Sequence, residues 1–282
     1  MTIIKTAADI INFFIIAKKK GLATGFVPTM GALHNGHISL IKIAKSENDL
    51  VVCSIFVNPT QFNDPKDFTK YPVTTDQDIL LLEKASCDIL FLPSVDEMYP
   101  KGVVHDHYFE LGYLETILEG KFRPGHFQGV CQVVNRLLEI ILPEKLYLGQ
   151  KDFQQCMVLK KMTETNYPSL QIVICPTQRE ADGLAMSSRN LRLTSEERRQ
   201  AVNISASLEL IKNNIRPGDV GSLKLRAIEY LTTQGFQVDY VEIADASTLK
   251  TIEYWNGKDA LVVLIAAFLN EVRLIDNMVI EN

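Results

Sequence analysis

Residues 23–46 read ATGFVPTMGALHNGHISLIKIAKS. The first six form a short apolar run closed by Pro28, the pattern of a buried strand. From His37 to Ser46 the apolar positions recur at helical spacing, with Ile38 and Ile41 one turn apart. Between them lies a glycine-bearing turn. A strand that passes through such a turn into a helix is the repeating unit of a parallel sheet. The same alternation continues outward. Strands are expected at 50–57 (LVVCSIFV), 87–92 (CDILFL), 145–148 and 170–175 (LQIVIC), and helices at 76–85, 130–141 and 153–165. Strands of continuous apolar character separated by helices predict an α/β domain whose parallel sheet is covered on both faces. Its ligands bind at the carboxyl ends of the strands.

The pattern changes near residue 176. Thr194-Ser195-Glu196-Glu197 is a capping box that opens a helix to about residue 213. A turn at Arg216-Pro217-Gly218 leads to a second helix ending near 234, then to strands at 238–244, 261–267 and 271–275, the last two as a hairpin. The expectation is therefore two domains: residues 1–176, and a smaller α+β domain at 177–282.

A chain of 282 residues with 46% hydrophobic and 22% charged residues can build its core without metal or disulfide staples. The net charge of −5 and the lack of a basic block beyond Lys18-Lys19-Lys20 argue against a nucleic-acid partner. Cys53, Cys87, Cys131, Cys156 and Cys175 form no C-x-x-C pair, which suggests buried reduced thiols and a cytoplasmic setting. The apolar runs at 10–17 and 260–269 are too short to span a bilayer. They are expected as a buried helix and a buried strand, with no membrane partner.

The chemistry concentrates at strand-to-helix turns. In PTMGALHNGH (28–37), backbone N–H groups and the helix dipole are expected to face an anion, with Gly31 and Gly36 allowing close approach. His34 and His37 are three apart, so their rings share a side. Two imidazoles beside one phosphate can donate hydrogen bonds to charge developing in a transition state. Zinc is a weaker reading of this H-x-x-H, because no third ligand lies close in sequence. GQKDFQQ (149–155) offers Lys151 as a point charge, Asp152 as a helix cap and Gln155 one turn into the helix. MSSRN (186–190) suits a clamp on phosphate oxygens through its hydroxyls and Arg189. In FVNPTQF (56–62), Gln61 supplies an uncharged donor and acceptor for a polar substrate. Arg123 and His126, in RPGHFQGV (123–130), are placed where they would face anions.

With its HxGH turn and Ser-Ser-Arg loop, the sequence resembles the adenylate-forming nucleotidylyltransferases. PTMGALHNGH, FVNPTQF, YPVTTDQD, KFRPGHFQGV, GQKDFQQ and READGLAMSSRN, in that order, make it similar to the pantothenate synthetase (pantoate–β-alanine ligase) family over essentially the whole chain. The resemblance implies a Rossmann-like ATP domain with a small lid-like second domain, usually in a homodimer. It implies that ATP, pantoate and β-alanine are the substrates, that a pantoyl adenylate forms, and that magnesium accompanies ATP. Met30, Gly31, Ala32, Leu33, His34, Asn35, Gly36 and His37 would line the ATP site. Gly149, Gln150, Lys151, Asp152, Gln178, Met186, Ser187, Ser188 and Arg189 would complete it. His37 would be the catalytic proton donor, aided by His34, Lys151 and Arg189. Gln61 and Gln155 would hold pantoate, Gln61 would also border β-alanine, and Asp78 would lie near the metal. The sequence departs from the family pattern at Asn35 (usually glutamate), Val73 (usually arginine), Gln77 (aspartate in some members) and Gln178 (often valine).

Two other enzymes remain possible on the residues alone. A nucleotidylyltransferase that passes AMP to a phosphorylated acceptor would share the HxGH logic. It would need a basic acceptor site, whereas Gln61 and Gln155 have neutral surroundings in sequence. A tRNA-charging enzyme is opposed by the short, acidic chain.

Overall fold

Apolar runs and helical repeats alternate in the first part of the chain as β1 (Thr2–Ile4), α1 (Ala7–Lys19), β2 (Thr24–Thr29), α2 (Asn35–Glu47), β3 (Leu50–Ile55), α3 (Pro65–Thr69), α4 (Thr75–Lys84) and β4 (Ile89–Phe91). Then come α5 (Val95–Met98), α6 (Leu118–Phe122), α7 (His126–Ile141), β5 (Lys145–Gly149), α8 (Phe153–Asn166) and β6 (Gln171–Cys175). The structure, a computed structural model, describes residues 1–62, 65–102 and 107–281. It separates into two compact units, one of Met1–Gly149 with Gln154–Pro176, the other of Gln150–Phe153 with Thr177–Asn282.

The first unit holds a six-stranded sheet in the order β1-β4-β3-β2-β5-β6. Every pairing in it is parallel. From β2 the chain builds outward through β3 and β4 on one side and, later, through β5 and β6 on the other. The carboxyl end of β2 therefore lies at the switch point of the topology, where such sheets open a crevice for ligands. Helix α2 packs over β2, β3 and β5. It buries Ile41 and Ala44 against Val27, Cys53 and Tyr147 in one core cluster. That core anchors the helix whose first turn carries His34 and His37.

In the second unit α9 (Ser195–Ala201), α10 (Asn203–Asn214), β7 (Gly218–Asp219), α11 (Gly221–Thr233), β8 (Gln237–Asp245), β9 (Tyr254–Trp255), β10 (Leu261–Leu269) and β11 (Val272–Ile280) follow in order. An antiparallel sheet in the order β11-β10-β8 has α10 and α11 packed on it, with Leu208, Ile211, Leu231, Val263 and Ile265 in the shared core.

The expected α/β architecture with a smaller α+β unit is present, but three local expectations change and one strand is added. The run at 10–17 is a helix buried on one face only: Ile10, Phe14 and Ala17 turn inward while Ile11, Ile15 and Ile16 are exposed. The helix expected over 195–213 breaks at Val202. There the Asn203 side chain donates to the Gln200 carbonyl at 2.9 Å, competing with the backbone ladder. The last strand runs on to Ile280, because the pairing partners of β10 continue along its whole length. Strand β1 spans three residues, too few for a periodic signal, and is defined by its pairing with β4.

Candidate active site

The turn after β2 is built by side chains that consume its backbone donors. Gly31 (φ 80°) and Ala32 (φ 48°) both take left-handed backbone conformations. The first is natural for glycine and the second costs an alanine some strain. Asp78, at 1% exposure on α4, pins that shape: its Oδ2 accepts from the Ala32 N–H at 2.9 Å and its Oδ1 from the Leu33 N–H at 2.8 Å. Thr74 Oγ1 donates to the same carboxylate at 3.0 Å, and the Gly31 N–H reaches Thr29 Oγ1 at 3.2 Å. The expectation that the N–H groups of this turn face an anion therefore fails for Gly31, Ala32 and Leu33, whose donors are satisfied within the protein. Asp78, expected near a metal, serves here as a buried acceptor for the turn through both of its oxygens.

Beyond the turn, His34 is the N-cap of α2 and His37 occupies the third helical position. The Gly36 N–H donates to His34 Nδ1 at 3.1 Å, and the His34 N–H donates to His37 Nδ1 at 3.3 Å. This is a capping box in which imidazole replaces the usual carboxylate. The ring centroids lie 4.1 Å apart. Since each Nδ1 accepts, each neutral ring carries its proton on Nε2. Sequence spacing anticipated the shared side of the rings, but not this tautomeric control. Asn35, between them, is exposed.

Gln61 sits in a short 3-10 turn, Pro59–Gln61, after β3. Its Nε2 lies 2.8 Å from Met30 Sδ, so two residues singled out separately in the sequence meet. The turn is clamped from several directions. Asn58, fully buried, donates to Thr60 Oγ1 at 2.8 Å and to the Gly129 carbonyl at 3.2 Å, and accepts from Tyr99 Oη at 2.9 Å. A Cβ on Gly129 would collide with the Thr60 carbonyl, so only glycine lets α7 approach this closely. Arg123 and His126 correct an expectation. Their nitrogens gather at the Gln61 carbonyl, with His126 Nδ1 at 2.8 Å and Arg123 Nη2 at 3.4 Å. The Arg-Pro-Gly-His motif thus supports Gln61, and His126 is buried.

On α8 the two neighbouring glutamines divide. Gln154, buried, accepts from the Glu119 N–H at 2.9 Å and donates to the Leu114 and Ile117 carbonyls. Gln155 is half-buried. A cavity of about 260 Å³ adjoins Met30, Gly31, Thr74, Asp78 and Ser94, with Val73 on its wall. Its lining excludes His34, His37 and Gln61.

In the second unit, β11 packs against both the Gln150–Asp152 turn and the Ser188–Arg192 turn. It thereby gathers Lys151 and the Ser-Ser-Arg segment onto one strand. Ser187 caps the latter turn, accepting from the Arg189 N–H at 3.3 Å. The Gln178 carbonyl accepts from the Met186 N–H at 2.9 Å, closing the segment into a hairpin-like loop. Lys151 is half-buried, while Asp152, expected as a helix cap, is exposed. Sequence reading missed Asp276 and Asn277, which are buried on β11. Asp276 holds Arg179 through two contacts of 2.6 and 3.0 Å, and burial pushes its carboxyl above the usual range against the pull of that guanidinium. Two adjacent polar residues inside an apolar strand were the available signal.

A family model described as pantoate-beta-alanine ligase matches residues 2–279. The chain is 48% identical over 267 residues to a pantothenate synthetase of Cytophaga hutchinsonii, covering 93% of each. It is 45% identical over 283 residues to that of Fervidobacterium nodosum, covering all of both. Among solved structures, a pantothenate synthetase of Thermus thermophilus superposes with a TM-score of 0.89 at 38% identity, over 99% of each chain. A pantoate-beta-alanine ligase from Francisella tularensis, complexed with beta-gamma ATP and beta-alanine, gives 0.82 at 39% identity, over 99% of this chain and 97% of that one.

Proposed function

The chain belongs to the pantoate–β-alanine ligase family and is an ATP-dependent ligase that condenses pantoate with β-alanine; from that premise we propose how its residues divide the work. A carboxylate is a poor electrophile. A pantoate oxygen therefore attacks the α-phosphorus of ATP, the bond to the bridging oxygen breaks, and pyrophosphate leaves. The amine of β-alanine then attacks the acyl carbon of the pantoyl adenylate. The new C–N bond forms as the C–O bond to AMP breaks, and the amine gives up a proton. No covalent enzyme nucleophile is needed, so positioning and charge stabilisation carry the rate.

One observation carries the assignment at the reacting centre. Both Nδ1 atoms accept backbone N–H groups, so His37 and His34 offer Nε2–H donors. Those donors suit phosphate oxygens gaining charge, with His37 as the principal donor. Lys151 adds a point charge and Arg189 a planar fork. Ser187, Ser188 and Met186 close around the triphosphate, and Gly149, Gln150, Asp152 and Gln178 border the nucleotide. Met30, Gly31, Ala32, Leu33, Asn35 and Gly36 form the floor and the approach. Gln61 and Gln155 hold pantoate, and Gln61 also meets β-alanine.

Magnesium enters as the ATP complex. Asp78 does not fit as its ligand, since both carboxylate oxygens are engaged by Ala32, Leu33 and Thr74. No cluster of three potential ligands occurs among the described residues. The working form is proposed to be a homodimer, on family resemblance, and its location the cytoplasm, a setting that suits five buried free thiols.

The test separates the two substrates. His37→Ala is expected to cut pantoate-dependent pyrophosphate release by about 10²-fold or more, the scale for a lost preorganised donor, with pantoate saturation little changed. Gln155→Ala is expected to weaken pantoate use by ~1–3 kcal/mol, the cost of an unmade buried hydrogen bond, with ATP binding unaffected. Lowered ATP affinity in Gln155→Ala with normal pantoate saturation would remove the pantoate assignment.

A further inference from the structure

Lys151 is carried by a one-turn 3-10 segment, Gln150–Asp152, that groups with the second unit although β5 and α8 flank it in sequence. So short a turn bonds few of its own carbonyls internally. Here two of them are met by one side chain: Asn277 Nδ2 donates to the Gln150 carbonyl at 2.9 Å and to the Lys151 carbonyl at 2.8 Å. Its Oδ1 accepts from Gln150 Nε2 at 3.4 Å. Asn277 is 2% exposed, so its own amide sits out of water and is satisfied by these partners.

Asn277 is itself held in place. Its N–H donates to Asp276 Oδ1 at 2.7 Å, and its carbonyl accepts from Arg179 Nη2 at 3.2 Å. Arg179 also donates to the Gly183 carbonyl at 3.0 Å, inside the loop that leads to Ser187 and Arg189. One buried site on β11 therefore fixes the backbone under Lys151 and ties it to the loop bearing Arg189.

We propose that Asn277 is a positioning residue for the ligase reaction, which aims the Lys151 ammonium by holding the Gln150 and Lys151 carbonyls. This rests on the reading of Lys151 as a cation for the phosphates. Asn277 acts only through the turn; the reacting groups are touched by Lys151.

A double-mutant cycle tests this, using the full chain with MgATP, pantoate and β-alanine, with steady-state pyrophosphate release as readout and thermal unfolding as control. Asn277→Ser is expected to lower kcat roughly tenfold or more, the lower range for losing a preorganised charge, with KM for pantoate unchanged. In the Lys151→Ala background the same change is expected to cost less than about threefold, as coupled residues are non-additive. Should Asn277→Ser fail to fold, Asn277→Asp serves in the same cycle, since it keeps the volume and the Gln150 acceptor while removing both donors. Independent, multiplicative losses overturn the proposal, as does a variant with full activity. If Lys151→Ala alone leaves pyrophosphate release normal, the parent reading of Lys151 falls and the inference falls with it. If Lys151→Ala is impaired and the cycle is additive, only the role of Asn277 falls.

Discussion

Asp78 shows how contacts add a structural role to a carboxylate singled out in the sequence. An acidic residue near a triphosphate site invites a metal role. In the fold its charge is instead spread over two N–H groups of a strained turn and one hydroxyl. Hydrogen bonds to a charged acceptor are worth about 1.5–3 kcal/mol each, enough to hold Ala32 in a left-handed conformation. Asp78→Asn turns one acceptor into a donor facing an N–H. It is expected to lower kcat by about tenfold through a displaced turn, on the scale of that lost bond. The magnesium concentration for half-maximal activity is expected to stay where it is in the unaltered protein. A clear rise in that requirement, measured by titrating magnesium at fixed ATP, would return Asp78 to the metal. His34 and His37 teach the converse lesson. Their pairing was legible from spacing, while the protonation pattern that makes them donors required the backbone contacts of their Nδ1 atoms.

Helix α7 and the Pro59–Gln61 turn form the element pair behind the pantoate site proposed at Gln61. Gly129 brings the helix against the Thr60 carbonyl, and Asn58, Arg123 and His126 fasten the turn. Gly129→Ala is expected to push these elements apart, at about 1–3 kcal/mol for overpacking. KM for pantoate should rise while ATP binding is kept. An alanine variant with unchanged thermal stability and pantoate saturation would mean that this approach is not tight. The apolar runs of β2, β3 and β5 announced themselves, because burial on both faces leaves a continuous signal. The support of Gln61 did not, since Arg123 and His126 lie more than sixty positions away from it and the contact is made to a main-chain oxygen. The Asp276-Asn277 pair stood out in an apolar strand, but not what Asn277 holds, since its partners are main-chain carbonyls.

Across the molecule the two units answer to different conditions. The second unit holds several carboxylates below their usual range through hydrogen bonding: Asp182 with Arg198, Glu197 with Asn270, and Asp245 with Ser247. A depressed folded pKa contributes stability above the unfolded value, and that stability drains as pH falls through the folded value. Acid titration is therefore expected to weaken the second unit progressively below about pH 4, the ordinary carboxylate range. The first unit contains all five cysteines, each buried. Burial pushes Cys131 up to about 12 and Cys87 and Cys175 to about 11, so they remain thiols through the working pH range. A fluorescence melt of the native chain across acid pH, monitored through Trp255 in the second unit, checks the first point. A midpoint independent of pH from 6 to about 3 would contradict it.

The two imidazoles, the Lys151 and Arg189 cations and the two glutamines are proposed to serve one ligation through an adenylate. The most direct measurement supplies purified protein with MgATP and D-pantoate, first without β-alanine and then with it, and follows pyrophosphate, AMP and pantothenate in the same samples. Pyrophosphate is expected with pantoate alone, up to about one equivalent per active site, as enzyme-bound adenylate accumulates. Adding β-alanine should then start steady turnover that yields AMP and pantothenate one for one. Pyrophosphate release that requires β-alanine from the outset, or pantothenate formed with ADP and phosphate in place of AMP and pyrophosphate, would contradict it.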